Sequence, residues 1–437
     1  MHHLGMPTSN DTNLRSGTPT VAAVARDTLV ELVYDADKSE TGLAVSRFGG
    51  LWNIEKEVRI HTGETLRPYS PRNNLIAHGC VLLPSAPEPH GDKAALLQEI
   101  EAFLHRYVNM SPVFEKIAAH YVLLSWVHDA FNEVPYLRLR GEYGTGKTRA
   151  LLAIGSLCYR PIFASGASTV SPLFHTLDRF GGTLILDEAD FRFSDATSEI
   201  VKILNNGHMK GLPVLRTIQN RDKEFNPRAF HVYGPKLIAM RGEFEDPALD
   251  SRCITENTSF QQMRADIPIT LPPVFQQEAL ALRNRLLNYR FCESFNIKPG
   301  TGPLLDGVEP RVNQIALPLL SLVDDPALRA EIGARLSEEQ RDRRAARQHT
   351  TDVRVLAILK EATQTPKGMP ISIGAVTDRF NAAHGSEYSQ RVPHKMIGHV
   401  VRKGLHLTTE KSSGVYVVPE SERQKIEALA ARYLAPT

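Results

Sequence analysis

Residues 136–159 read YLRLR, then GEYGTGKT, then RALLAIGSLCY: an apolar strand-like run, a glycine-rich octapeptide and a run with helical spacing. The octapeptide from Gly141 to Thr148 matches G-x-x-x-x-G-K-[ST] in full. Gly141, Gly144 and Gly146, with Thr145 among them, let backbone N–H groups close around a β-phosphate. Lys147 has the length to reach β and γ oxygens, and Thr148 can set its hydroxyl on Mg²⁺. The following helix turns its N-terminus, and so a favourable dipole, toward the same anion. A chance glycine-rich turn is the plain alternative, and the order strand, loop, helix argues against it. The expected cofactors are ATP and Mg²⁺.

Downstream, GGTLILDEAD supplies an apolar strand from Thr183 to Leu186 that ends in Asp187 and Glu188. An acid at a strand end beside a phosphate loop can organise the Mg²⁺ shell, the role expected of Asp187. A second acid can polarise the attacking water, the role expected of Glu188. A buried strand ending in acids can also be merely structural. The letters DEAD at 187–190 invite a reading as an RNA helicase of that name, but such proteins need a second RecA-like domain, which the C-terminal third does not resemble. PYLRLRG, PIFAS, TLILDEAD, PKLIAM and CITENT all look like buried strands alternating with helices, which predicts an α/β fold with a parallel sheet.

Around this centre the chain divides into a flexible tail at 1–22, a small β domain at 23–93, an ATPase core with preceding helices at 94–258, a helical lid at 259–335 and a winged-helix unit at 350–420. The β domain is expected from TLVELVY, GLAVSRF, VRIHTG and LIAHGCVLL, set off by turn residues. SAPEPHGDK at 85–93 reads as a linker, and the charged EEQRDRRAARQH as a linker or a solvated helix end. His2 and His3 sit on the tail, where they hold no fixed metal geometry.

The 437 residues are 42% apolar, 23% charged and 7% aromatic, an ordinary globular composition. Lys plus Arg number 51 against 49 Asp plus Glu, so any nucleic-acid surface must be local. Cys80, Cys158, Cys253 and Cys292 are tens of residues apart and form no C-x-x-C pair, so neither a disulfide scaffold nor a zinc knuckle is suggested, and a reducing, cytoplasmic setting is expected. The longest apolar run is too short to span a bilayer, and the polar N-terminus lacks a secretory h-region.

Together GEYGTGKT, TLILDEAD, LNNGHMKGLPVLR, GPKLIAM and FEDPALDSRCI resemble an AAA+ ATPase, in particular the MCM-like, self-loading replicative helicases of bacterial mobile elements and phages. The resemblance covers the chain from about Leu96 onward. It implies a sensor 1 residue after the fourth strand, commonly Asn or Thr. Here Arg241 stands there; a guanidinium also binds phosphate, and an exposed surface arginine is the alternative. The resemblance further implies that Arg252, before the last strand, is an arginine finger reaching a neighbour's γ-phosphate in a ring. A salt bridge to Asp246 or Asp250 is the plain alternative. Arg311, opening a lid helix, resembles sensor 2, or is a surface residue at a helix N-terminus.

The resembling helicases carry a pore hairpin between the acidic strand and the fourth strand. Here MKGLPVLRTIQN and RDKEFNPRAFHVYG read as two strands, made basic by Lys210, Arg216, Arg221, Lys223 and Arg228 and carrying Phe225 and Phe230 as well. Such a hairpin suits phosphate tracking; a solvated hairpin is the alternative. At the C-terminus TTDVRVLAILKEA, ISIGAVTDRFNAAHG, SQRVPHKMIGHVVRKG and LHLTTEKSSGVYVV look like three helices and the wing of a winged helix. In the third helix Met396, Ile397, Val400 and Val401 are the expected inward stripe. Arg391, Lys395, His399 and Lys403, with Arg402 nearby, are the expected DNA face, and Lys411 a wing contact. Winged helices also dock proteins.

The leading expectation is a hexameric, ATP-dependent DNA helicase or translocase serving replication of a mobile element or phage, with single-stranded DNA in the pore and duplex at the winged helix. The alternatives are an AAA+ loader or remodeller of a DNA-bound replication or transposition protein without unwinding activity, and a DNA-binding regulator whose ATPase switches assembly.

Overall fold

In the computed structural model, Tyr136–Arg140 lies inside a five-stranded parallel sheet ordered Cys253–Asn257, Tyr136–Arg140, Lys236–Met240, Leu184–Asp187, Ile162–Ser165. Numbered along the chain, the order is 5-1-4-3-2. The structure describes residues 17–434 apart from 48–49, 166–167, 188–194, 220–224, 245, 261–263, 301–303, 349, 365–369 and 389. All five strands coincide with the apolar runs of the sequence, because a sheet covered on both faces leaves little room for polar residues along its strands. Leu137, Leu139, Leu184, Ile185, Leu186, Leu237, Ile238 and Ile254 are fully buried. The loop carbonyls and N–H groups at the strand ends therefore gather at the C-terminal edge, where open α/β sheets bind ligands.

The chain forms two compact units, 1–333 and 334–437. In the first, Ala22–Ala25, Thr28–Asp35, Glu40–Arg47 and Trp52–Glu55 make a four-stranded antiparallel sheet. Val30, Leu32, Leu43 and Val45 on one face of it share a continuous core with Ile162, Leu173, Leu177 and Phe180. Within the expected tail, residues 1–16 lie outside the described ones, while Thr18–Thr20 pair with Thr65–Pro68 in a second small sheet.

The run LIAHGCVLL is not the expected strand. The Asn73 side chain accepts from Leu75 N at 3.0 Å and starts a helical turn, Asn74–Ala77. Beyond it Val81 bridges Ile162, and Phe163 N donates to Cys80 O at 3.1 Å, so this segment covers the edge of the parallel sheet. The linker at 85–93 is strapped to the long helix Val274–Glu293: Ser85 N donates to Asn284 Oδ1 at 2.9 Å, and His90 N to Asn288 Oδ1 at 3.3 Å. Of the charged segment EEQRDRRAARQH, residues Glu338 to Gln348 belong to a helix, Pro326–Gln348, rather than to a linker, and His349 lies outside the described residues.

The second unit packs Thr351–Ala362, Ile373–His384 and His394–His399 against a three-stranded antiparallel sheet of Ile371–Ser372, Val415–Val418 and Glu410–Ser412, and closes with the helix Arg423–Tyr433. Val355, Leu359, Val376, Phe380, Ile397, Val401, Val418 and Ile426 form its core. The hairpin turns through Ser413 and Gly414, both with positive φ, the backbone that two-residue hairpins require. After His399 the third helix loosens into a π turn, with Leu405 N donating to Val400 O at 2.9 Å. Among the described residues, no helix of either unit is long and apolar enough to cross a membrane.

Candidate functional site

A cavity of about 460 Å³ opens at the C-terminal edge of the parallel sheet, lined by Tyr143 to Arg149, Leu152, Asp187, Ala239, Met240, Arg241 and Leu271. The octapeptide forms its floor. Gly144 and Gly146 take φ of 76° and 84°, left-handed values that admit glycine without strain, and Gly146 caps the helix Lys147–Leu157. Gly141 N donates to Met240 O at 3.3 Å and ties the start of the loop to the neighbouring strand. Thr145 Oγ1 donates to Glu142 O at 2.8 Å and lies 2.7 Å from Thr258 Oγ1, while Glu142 N donates to Ser259 Oγ at 3.0 Å. The segment after the last strand thus braces the loop.

Thr148 Oγ1 donates to Asp187 Oδ2 at 2.9 Å, which brings together the two residues expected to hold Mg²⁺. Both are oxygen donors of the kind a hard divalent cation prefers, so the residues present fit Mg²⁺. Lys147 Nζ donates to the carbonyls of Gly141 and Glu142 at 2.6 and 2.5 Å. Glu188 lies outside the described residues. Arg241 closes the cavity on the far side, with its guanidinium carbon 3.7 Å from the centroid of the Tyr143 ring. Arg149 donates to the carbonyls of Pro268 and Ile269, and Leu152 and Leu271 also line the cavity.

Arg252 and Arg311 are not in this cavity. Arg252 is 7% exposed and donates to Asn205 Oδ1. Neither carboxylate weighed as its partner takes it up: Asp250 pairs with Arg138 at 2.5 Å, and Asp246 accepts from Asn205 Nδ2 at 2.6 Å. Burial, and then the nearby charge of exposed Arg311, lower the basicity of Arg252. His208 joins the same group. Burial, followed by the charge of Arg252, pulls its pKa down to about 4.

The expected hairpin exists, as Val214–Gln219 against Phe225–Phe230, with Arg216 opposite Arg228. Both arginines have acidic partners. Arg216 is bidentate to Glu199 at 2.8 and 2.6 Å, and Arg228 donates to Asp178 at 3.0 Å. Phe230 is fully buried against Phe174 and His175, so it belongs to the core. Lys210 precedes the hairpin and donates to Asp129 O at 2.6 Å. Arg221 and Lys223 lie outside the described residues.

In the second unit Lys395, His399, Arg402, Lys403 and Lys411 are exposed. Arg391 precedes the helix, which starts only at His394, and pairs at 2.8 Å with Asp378 of the helix Ile373–His384, so it is not part of the helical face. Met396 is 38% exposed rather than part of the inward stripe, which consists of Ile397, Val400 and Val401. Arg402 lies over the Tyr416 ring and donates to Thr409 Oγ1 at 3.3 Å, linking this segment to the hairpin of Glu410–Ser412 and Val415–Val418.

A buried ionic junction was missed from the sequence. Arg290, 2% exposed, donates to Glu31 at 2.7 Å, to Trp126 O at 2.6 Å and to both Asp129 oxygens at 2.8 and 2.7 Å. Glu31 also accepts from the Tyr159 hydroxyl at 2.8 Å. Burial opposes ionisation of Asp129, but the Arg290 charge and hydrogen bonds hold its carboxyl well below the usual range. The signal available was charged Glu31 and Arg290 inside the otherwise apolar runs TLVELVY and LLNYRF.

No protein-family model and no curated protein matches the chain. Among solved structures, a JCV helicase aligns over 57% of this chain at 15% identity and a TM-score of 0.25, so the chain spans 60% of that one. The NrS-1 C-terminal region aligns over 89% of this chain and 96% of its own at 10% identity and a TM-score of 0.36. The ORC1 protein of Aeropyrum pernix in complex with DNA aligns over 77% of this chain and 93% of its own, at 16% identity and a TM-score of 0.22. These are remote likenesses, and the chemistry of the site is read from its own residues.

Proposed function

We propose that the chain is an ATP-dependent DNA helicase or translocase of the AAA+ class, working as a hexamer in the replication of a mobile element or phage. The observation that carries this reading is the Thr148 to Asp187 hydrogen bond, at 2.9 Å, beside Lys147 in a glycine-rich loop at the edge of a 5-1-4-3-2 sheet. Thr148 and Asp187 would hold Mg²⁺, which when bound neutralises charge on the β and γ oxygens. Lys147 binds those oxygens, Glu188 orients and deprotonates the attacking water, and Arg241 faces the terminal phosphate. Arg252, which does not line this cavity, serves a neighbouring copy's nucleotide as an arginine finger, and Arg311 acts as sensor 2.

DNA contact belongs to two regions. Lys210, Arg216, Arg221, Lys223 and Arg228 of the hairpin region follow single-stranded phosphate, and the winged-helix unit meets duplex through Lys395, His399, Arg402, Lys403 and Lys411, with Arg391 at its margin. A second reading, a loader or remodeller without unwinding activity, is favoured by one observation: Arg216 and Arg228 are already paired with Glu199 and Asp178. The deciding experiment measures ATP hydrolysis by wild type and Lys147→Ala, with and without single-stranded or forked DNA, alongside strand displacement. Displacement that is lost in the variant supports the helicase; DNA-stimulated hydrolysis without displacement supports the loader.

A further inference from the structure

We propose that Thr258 is a positioning residue for nucleotide binding: its hydroxyl, acting through Thr145, fixes the Glu142 carbonyl on which Lys147 rests. This depends on the nucleotide-hydrolysis reading above and adds a residue to it. The strands Tyr136–Arg140 and Cys253–Asn257 run parallel, with Arg140 opposite Asn257. The chain therefore leaves the sheet twice at one place, first as Gly141 of the glycine-rich loop and again as Thr258. Thr258 is 4% exposed, and a Cβ added at Gly141 would run into its hydroxyl. The first glycine of the loop is needed for this close approach.

Proton counting gives these contacts a direction, because a hydroxyl carries a single proton. Thr145 Oγ1 lies 2.8 Å from Glu142 O, a carbonyl that can only accept, so Thr145 donates there. The 2.7 Å contact between Thr145 and Thr258 then takes the Thr258 proton, and the 3.2 Å approach of Thr258 to Arg140 O is the weaker branch. A chain of hydrogen bonds thus runs from Thr258 to Thr145 to Glu142 O. Lys147 Nζ donates to that same oxygen at 2.5 Å and to Gly141 O at 2.6 Å. Hydrogen bonds in series polarise one another and hold the loop in one shape. When the ammonium turns from these carbonyls to phosphate oxygens, Glu142 O keeps the Thr145 proton, so the carbonyl is not stranded and the loop keeps its form. Without the Thr258 hydroxyl, Thr145 loses the donor that orients it, and ordering the loop is charged against nucleotide binding.

The test is ADP affinity by calorimetric titration with Mg²⁺ present, together with KM and kcat for ATP, on the full chain as wild type, Thr258→Val, Thr258→Ser, Thr145→Val, the double valine variant and Lys147→Ala. A thermal melt without nucleotide checks that each is folded. Thr258→Val should raise the ADP Kd and the ATP KM alike by about 3–30-fold, the worth of one buried hydrogen bond, while kcat moves by less than about threefold. Thr258→Ser keeps the hydroxyl and should bind ADP within about threefold of wild type. The double valine variant should bind within about twofold of its weaker parent, because the two hydroxyls act in one chain. The inference is overturned if folded Thr258→Val binds ADP as wild type does, if Thr258→Ser fails to rescue, or if the losses in the double variant add. Should Thr258→Val not fold, Thr145→Val breaks the same chain, and wild-type ADP affinity in that variant overturns the inference. If wild type binds no ADP, or Lys147→Ala binds it as well as wild type, the nucleotide reading itself fails, a different result from Lys147-dependent binding that is indifferent to Thr258.

Discussion

Replacing Glu31 by Ala should destabilise the first unit by about 3 kcal/mol. Glu31 is 2% exposed and shares Arg290 with Asp129, and it also accepts from Tyr159. Breaking a buried ion pair from one side costs about 3–5 kcal/mol, since a charge is left uncompensated in a poor solvent for it. The lower end applies, because Asp129 still balances Arg290 through two hydrogen bonds. The assay is urea unfolding followed by fluorescence, for which buried Trp126 is well placed: its own carbonyl accepts from Arg290. In the cycle with Arg290→Met, the double variant should lose less stability than the two single losses added together, since neither of the two positions then faces an uncompensated charge at the other. The exposed part of Asp129, whose side chain is 35% accessible, can then hydrate. A loss under about 1 kcal/mol for Glu31→Ala, or strict additivity in the cycle, would refute the view that this junction ties the four-stranded sheet to the helix Val274–Glu293.

Two further outcomes are expected. Burial holds His128 down to about 4, so it is neutral in the folded chain, whereas unfolded histidine titrates near 6.5. A depressed folded pKa means that stability is intact above about pH 6.5 and falls as the pH drops from there toward 4, by about 3 kcal/mol for this group, and His128→Asn should flatten that slope in pH-dependent melts. On duplex DNA, Lys395→Ala and Lys403→Ala should each reduce the salt dependence of binding by about one unit of slope without changing sequence preference, as measured by titration at several ionic strengths; an unchanged slope would remove these residues from the interface.

The sequence carries the five-stranded sheet because each strand is a short apolar run bounded by turn residues, and burial on both faces imposes that pattern. It carries the glycine-rich loop because glycine, lysine and a hydroxyl at this spacing, between a strand and a helix, mark the turn that the structure shows at 141–148. Tertiary pairing was not legible in the same way. Arg290 reaches Glu31 across 259 positions, and nothing local marks two charges as partners. Arg216, Arg228 and Arg391 read as available cations, yet each meets a carboxylate supplied by another element. LIAHGCVLL has strand-like composition, but the Asn73 side chain starts a helical turn inside it. Met396 falls on the apolar spacing of a regular helix, but it is part-exposed on a helix only six residues long that loosens into a π turn.

The most direct test of the motor reading is ATP hydrolysis and fork unwinding measured together, comparing wild type with Lys147→Ala. Hydrolysis that rises with single-stranded or forked DNA, accompanied by strand displacement and abolished in the variant, is the expected result. An ATPase indifferent to DNA, or one that survives the loss of Lys147, would contradict it.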